Sequence, residues 1–205
     1  ASEDEIKKAI KDANVGVLGS MGNFLGGSVN RRTKAVTNAP NRELYMDDYV
    51  MNKVYYSVSR RMELEETEID ISEKELRRLS LAGGLMARVA YVDHEVQEGE
   101  FESMVSAIKG YWELSDVEAA LVAETAVSTI TKGMDYYRLS RRFFESTTED
   151  ERVRFMDALF AVADADGRVS YEEIEEVRTI ATVLKLTHKQ FIDAKLKIPR
   201  ERRAN

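Results

Sequence analysis

The fold is decided by one stretch of the chain, residues 161–181, which read AVADADGRVSYEEIEEVRTIA. An apolar run of helical character ends in an acidic turn at Gly167, and a second amphipathic run follows directly. Ser170 and Glu173 have the spacing of a capping box, in which the hydroxyl and the carboxylate each bind a backbone amide at the start of a helix. The stretch therefore predicts two helices joined by a short acidic loop.

The same arrangement occurs 73 residues earlier, where residues 85–108 read LMARVAYVDHEVQEGEFESMVSAI. At that offset Asp93 aligns with Asp166, and Glu100 aligns with Glu173. Apolar positions recur in every amphipathic helix, but acidic residues at two fixed positions are more specific. We interpret the two stretches as an internal duplication of a helix–acidic loop–helix unit.

Helix-start signals recur along the rest of the chain. Ser72, Ser115 and Thr148 each precede a glutamate by three residues, and Thr187 is a further N-cap candidate. The short connections between the helical runs predict antiparallel neighbours. The predicted fold class is all-α, a compact multi-helix bundle with a pseudo-twofold internal duplication of helix–acidic loop–helix units. The predicted helices span residues 43–62, 73–91, 98–111, 116–131, 135–145, 149–163, 171–184 and 188–197.

Composition divides the chain into four predicted regions. They are a glycine-rich N-terminal arm at 1–40, a helical extension with an acidic connection at 41–72, the helical domain at 73–198, and a basic tail at 199–205. The tail is interpreted either as a solvated terminus or as a contact for an acidic partner or lipid.

A basic cluster in the N-terminal arm, Arg31, Arg32 and Lys34, follows its glycine-rich stretch. These three residues are the predicted interaction residues. One interpretation is a weak interfacial helix that touches anionic lipid at the membrane periphery. The other is an arm that folds over the protein's own core or over a sister subunit.

The overall charge argues against a nucleic-acid partner. The sequence has 30 Lys and Arg against 37 Asp and Glu, a formal net charge of −7, whereas phosphate binding needs a basic field. It has no cysteine, so thiolate sites and cysteine nucleophiles are excluded. No signal-peptide or membrane-spanning run occurs, which predicts a cytoplasmic protein and leaves its oligomeric state open.

The second acidic loop approximates a calcium-binding EF-hand loop. With Gly167 at the turn position, Asp164 and Asp166 take loop positions 3 and 5, and Glu173 takes position 12. Position 1 falls on Val162, which has no oxygen ligand. Two interpretations therefore stay open, a weak site for a divalent cation such as calcium or magnesium and a purely structural set of caps and turns.

The segments AYVDHEV, at 90–96, and AVADADGRVSYEE, at 161–173, resemble the TerB family of tellurite-resistance proteins. The family signature is A-x-x-D-G-x-V/I followed by acidic residues, and the resemblance covers about residues 73–198. It implies a compact pseudo-duplicated helical bundle that is linked to tellurite, chemical or phage stress and is not an enzyme. It also implies metal-binding positions at Asp93, Glu100, Asp166 and Glu173. His94 departs from the signature, since glycine is expected there.

The predicted function is therefore a TerB-like, non-enzymatic scaffold that binds a protein partner in a stress response and is modulated by a divalent cation. An alternative is a membrane-peripheral or structural adaptor that docks through the N-terminal arm. A third is a metal-dependent hydrolase that uses the same carboxylates. No nucleophile elbow, phosphate loop or dinucleotide fingerprint occurs in the sequence, so no catalytic residue is assigned.

Overall fold

The computed structural model describes residues 46–130 and 135–204. A helical segment at 46–51 precedes the helices α1 (Lys53–Glu65), α2 (Glu73–Ala90), α3 (Glu98–Trp112), α4 (Asp116–Thr129), α5 (Tyr136–Ser146), α6 (Glu149–Ala163), α7 (Tyr171–Val183) and α8 (His188–Lys195), and a short 3₁₀ helix spans Arg200–Arg202. No β-strand occurs in this part of the chain, where the one β-type pairing is an isolated bridge between Val169 and Arg203. The all-α prediction is confirmed.

Most helix starts follow the local capping signals. Ser115, Thr148, Ser170 and Thr187 each form the reciprocal capping box with the residue three positions on. Each box satisfies two amides that have no partner within the helix, which is why the predicted and observed starts agree.

Two local predictions fail. Ser72 accepts a hydrogen bond from the Glu75 amide, but the Glu75 carboxylate pairs with Arg78, so no capping box is closed there. The helix predicted over 43–62 is interrupted at Asn52, whose φ of −147° lies outside the helical region. The Asn52 side chain accepts from the Tyr55 amide, as short polar side chains at helix starts do.

Helix α2 is the central helix of the bundle. Its buried residues lie on all sides, and it packs against α1, α3, α4, α5, α6 and α7. Gly83 faces Ala126 of α4, while Gly84 lies between Val54 of α1 and Leu139 of α5. The two adjacent glycines therefore lie where α2 meets three neighbouring helices at close range.

Gly83→Ala and Gly84→Ala should change stability differently. A Cβ at position 83 would lie 3.5 Å from the nearest side-chain atom, an ordinary contact. Alanine there should raise the free energy of unfolding by about 0.5–1 kcal/mol through helix propensity. A Cβ at position 84 would lie 3.0 Å from Leu139 Cδ2 and 3.2 Å from Val54 Cγ2, and both side chains are buried in the core. Gly84→Ala should therefore be less stable than wild type in chemical denaturation, and equal gains in the two variants would contradict this packing.

Candidate functional site

The two acidic loops have the same turn geometry. His94 and Gly167 both have a positive φ, of 74° and 83°. Their amides donate to the carbonyl oxygens of Tyr91 and Asp164, over 3.1 and 3.0 Å. A positive φ is strained for residues other than glycine. The first loop therefore keeps the turn despite the histidine, at a cost in conformational energy.

One aspartate in each loop shapes that loop through its side chain. Asp93 Oδ1 accepts from the Glu95 amide at 3.2 Å, and Asp166 Oδ1 accepts from the Arg168 amide at 2.8 Å. These are Asx turns, in which the carboxylate takes the place of a backbone acceptor. Both aspartates are exposed, so the turn leaves their charge facing solvent.

The two loops line a single cleft of about 290 Å³. It brings together Asp93, Glu100, Asp166 and Glu173, four of the five residues that the sequence predicts as metal ligands. Among the described residues that line the cleft, Arg168 is the one basic residue. Residues separated by 73 positions in the chain thus form one acidic surface.

Glu100 and Glu173 are more buried than Asp93, Asp166 and Glu172, the other three carboxylates that line the cleft. Glu100 is 7% exposed, and its Oε2 accepts from the Gln97 amide at 2.7 Å. Glu173 is half-buried, and its Oε2 accepts from both the amide and the hydroxyl of Ser170 at 2.7 Å. Each glutamate therefore caps its own helix with one carboxylate oxygen.

The environment of the cleft disfavours negative charge on these glutamates. Burial raises the pKa of the Glu100 carboxyl to about 8, against the Gln97 hydrogen bond. The negative charges of Glu173, Asp93 and Asp166 raise it further. Burial likewise raises the pKa of Glu173, with Asp166 and Asp93 adding to the effect. Burial is therefore the main cause of both pKa shifts, and the neighbouring carboxylates act in the same direction.

Comparison with known protein families matches the part of the chain that contains both acidic loops. A family model described as tellurite resistance protein TerB matches residues 79–196. The chain belongs to the TerB family. No curated protein and no solved structure matches the chain. The TerB match includes both acidic loops and ends before the C-terminal tail.

That tail, outside the TerB match, folds back onto the second acidic loop. Arg202 pairs with Asp164, with 3.0 Å between Nε and Oδ1. The Val169 amide donates to the Arg202 carbonyl at 2.6 Å, and the Ala204 amide donates to the Val169 carbonyl at 2.9 Å. Asp164 is not among the described residues that line the cleft, and its carboxylate is paired with Arg202. Its assignment as a metal ligand stays a prediction.

Gly99, which sequence reasoning missed, sets the distance between α3 and the second loop. A Cβ at this position would lie 3.3 Å from the Ala165 carbonyl oxygen. Next to it, the Ser103 hydroxyl donates to the Ala161 carbonyl at 2.9 Å. A glycine in the first turn of a helix, where it is disfavoured, is the one local signal that could have revealed the contact.

The cleft has carboxylate oxygens that could bind a cation, but these are not already spaced as the ligands of a metal ion. Among residues 46–130 and 135–204, no three His, Asp or Glu side chains are grouped closely enough to hold a metal ion. The predicted interaction residues Arg31, Arg32 and Lys34 lie outside the described residues, so their role stays a prediction. None of the helices described has the length and apolar character to cross a bilayer.

His94→Gly should stabilise the protein. Glycine adopts the observed φ of 74° without strain, so the free energy of unfolding should rise by about 0.5–1 kcal/mol. The matched control is Glu95→Gly in the same loop, where φ is not positive and glycine should destabilise. Chemical denaturation of both variants checks the prediction. A loss of stability in His94→Gly would mean that the ring contact with Tyr91, 5.7 Å between centroids, outweighs the strain.

Stability should fall as pH rises from about 5 to about 8. Because the pKa of Glu100 is about 8 in the folded state and near 4.5 when unfolded, the folded state binds more protons in this range. Raising the pH therefore favours the unfolded state. Thermal melts of Glu100→Gln should show a flatter pH dependence and, at pH 8, a melting temperature several degrees above wild type. The control Glu102→Gln, an exposed position on the same helix, should keep the wild-type slope.

Proposed function

We propose that this TerB-family chain is a non-enzymatic binding protein of a tellurite, chemical or phage stress response in the cytoplasm. The acidic cleft takes up a divalent cation, calcium or magnesium, and the bound cation modulates contact with a protein partner. The observation that carries the proposal is the convergence of Asp93, Glu100, Asp166 and Glu173 on one cleft. The shared loop geometry at a 73-residue offset supports an internal duplication.

The electrostatics of the cleft favour cation uptake. Burial and repulsion by the neighbouring carboxylates raise the pKa of Glu100 to about 8. A divalent cation relieves the same repulsion that protons relieve, and its binding releases the proton held by Glu100. Hard cations prefer carboxylate oxygens, which are the donors present.

The capping role of the glutamates leaves oxygens for an ion. Glu100 and Glu173 use Oε2 for their caps, and no hydrogen bond to either Oε1 occurs within the described residues. Asp93 and Asp166 use Oδ1 for their Asx turns and leave Oδ2 in the same way. A cation can therefore draw the four side chains together without breaking the caps, although the described part of the chain has no closely spaced group of three such ligands.

Calcium or magnesium added to metal-free protein should bind saturably and raise the melting temperature. Asp93→Asn combined with Asp166→Asn should abolish the heat of binding. Asparagine keeps the Asx-turn acceptor and removes only the charge. Affinity should increase as pH rises through 8, because the cation displaces a proton from Glu100. Isothermal titration calorimetry measures both effects.

Glu102→Gln is the matched control for this titration, since it removes one charge from an exposed site outside the cleft. It should bind the cation as wild type does. Equal binding by the double variant and wild type would place the ion elsewhere. An absence of heat and of a melting shift with both cations would assign the acidic loops to capping and turns alone.

A further inference from the structure

The C-terminal tail contacts the second acidic loop on both sides of the turn at Gly167. Before the turn, Arg202 pairs with the Asp164 carboxylate, and its Nη2 also donates to the Asp164 carbonyl at 3.3 Å. After the turn, Val169 forms two backbone hydrogen bonds with the tail, at 2.6 and 2.9 Å, in a parallel β-bridge with Arg203. The tail therefore joins the two ends of the loop.

The contact of Arg202 coincides with the hydrogen bond that closes the turn. The Asp164 carbonyl accepts both from Arg202 and from the Gly167 amide, the latter at 3.0 Å. The Asp164 side chain is 13% exposed. Guanidinium–carboxylate contacts with two parallel hydrogen bonds are among the strong ones in proteins. Detachment of the tail would leave a largely buried carboxylate without its counter-ion.

The backbone contacts of the tail lie between two carboxylates of the cleft. Val169 is flanked by Arg168, whose amide closes the Asx turn of Asp166, and by Ser170, which binds Glu173. The tail holds both polar backbone atoms of Val169. It therefore fixes the segment of chain that joins Asp166 to Glu173.

The first acidic loop has no equivalent support. At the 73-residue offset, Tyr91 takes the position of Asp164, and Val96 takes that of Val169. Tyr91 has no carboxylate that could pair with an arginine. Among the described residues, no backbone hydrogen bond reaches Val96. The tail therefore acts on one half of the duplicated unit.

We propose that the C-terminal tail is a conformational device that controls the acidic cleft. While docked, the tail holds the second loop in the shape that takes up a cation; once detached, it leaves the loop free to open. Tail docking and cation uptake therefore stabilise each other. The inference rests on the proposed function as a cation-modulated protein and names the segment that regulates its cleft.

Hydrogen exchange of the Val169 amide reports on tail docking without any cation, because this amide donates to the Arg202 carbonyl. In the ¹⁵N-labelled full chain, Asp164→Asn combined with Arg202→Gln removes the ion pair and leaves the net charge unchanged. Exchange of the Val169 amide should then be about 10-fold faster than in wild type. The Glu95 amide of the first loop, which binds Asp93 Oδ1, should exchange as before.

A second variant weakens docking without altering any charge. Ala204→Pro removes the amide that donates to the Val169 carbonyl, and the extended Arg203, with φ of −123° and ψ of 142°, suits a following proline. It should also accelerate exchange of the Val169 amide. The matched control is Arg200→Gln combined with Glu201→Gln, two exposed residues of the same 3₁₀ helix, which also leaves the net charge unchanged and should exchange as wild type does.

Calcium titration then tests the coupling. Because coupling between two equilibria is reciprocal, saturating calcium should slow exchange of the Val169 amide by the factor by which complete detachment of the tail weakens calcium binding, about 5-fold. The Asp164→Asn and Arg202→Gln double variant should bind calcium more weakly by up to that factor in calorimetry. The Thr67 amide, at the end of α1, should exchange at the same rate with and without calcium.

Unchanged exchange of the Val169 amide in both tail variants would overturn the inference, because the tail would then not hold the loop. Calcium binding that is equal in wild type and in the double variant, with no slowing at Val169, would overturn the coupling. If wild type binds no cation, the cation leaves the proposed function and the coupling falls with it. The exchange measurements without cation still decide whether the tail holds the loop.

Discussion

The burial of α2 is the constraint on which the rest of the structure depends. A helix that packs on six others must meet some of them closely, and Gly83 and Gly84 provide that approach. Two ion pairs extend the packing outward, Arg78 with Glu151 of α6 and Arg88 with Glu176 of α7. Because α2 leads into the first acidic loop and α6 into the second, this packing also determines where the two loops meet.

The meeting of the loops has an electrostatic consequence. Burying Glu100 beside three other carboxylates opposes folding at neutral pH, because the charged form loses water and gains like-charged neighbours. The TerB match spans both loops, whereas Arg202, which pairs with Asp164, lies beyond the end of the match. This ion pair neutralises one acidic residue of the second loop and leaves the five acidic residues that line the cleft to protons or to a cation.

Capping and ion binding draw on the same residue types, which is why sequence reasoning left both interpretations open. An acidic residue in the first helical turn stabilises the helix in either case. The structure separates the two uses by atom. In Glu173, for example, Oε2 accepts two hydrogen bonds from Ser170, and Oε1 accepts none from the described residues. The same residue can therefore cap a helix and contribute to a site.

The sequence by itself determined the helix starts, the all-α class and the two acidic loops. Those features depend on contacts within a few residues, such as the capping box of Ser170 with Glu173 and the Asx turn of Asp166. Local contacts of this kind leave a direct spacing signal. The TerB resemblance was also correct, because its motifs are local.

Only the tertiary structure decided which of these residues share a surface. At the break in the helix, the Asn52 side chain donates a hydrogen bond to the Arg77 carbonyl, 25 residues away, and Asp164 pairs with Arg202, 38 residues away. The pKa of Glu100 is raised by its burial in the packed bundle and, in addition, by carboxylates of a loop 73 positions away. Burial and charge proximity depend on how the helices pack, and no residue spacing within one segment encodes that packing.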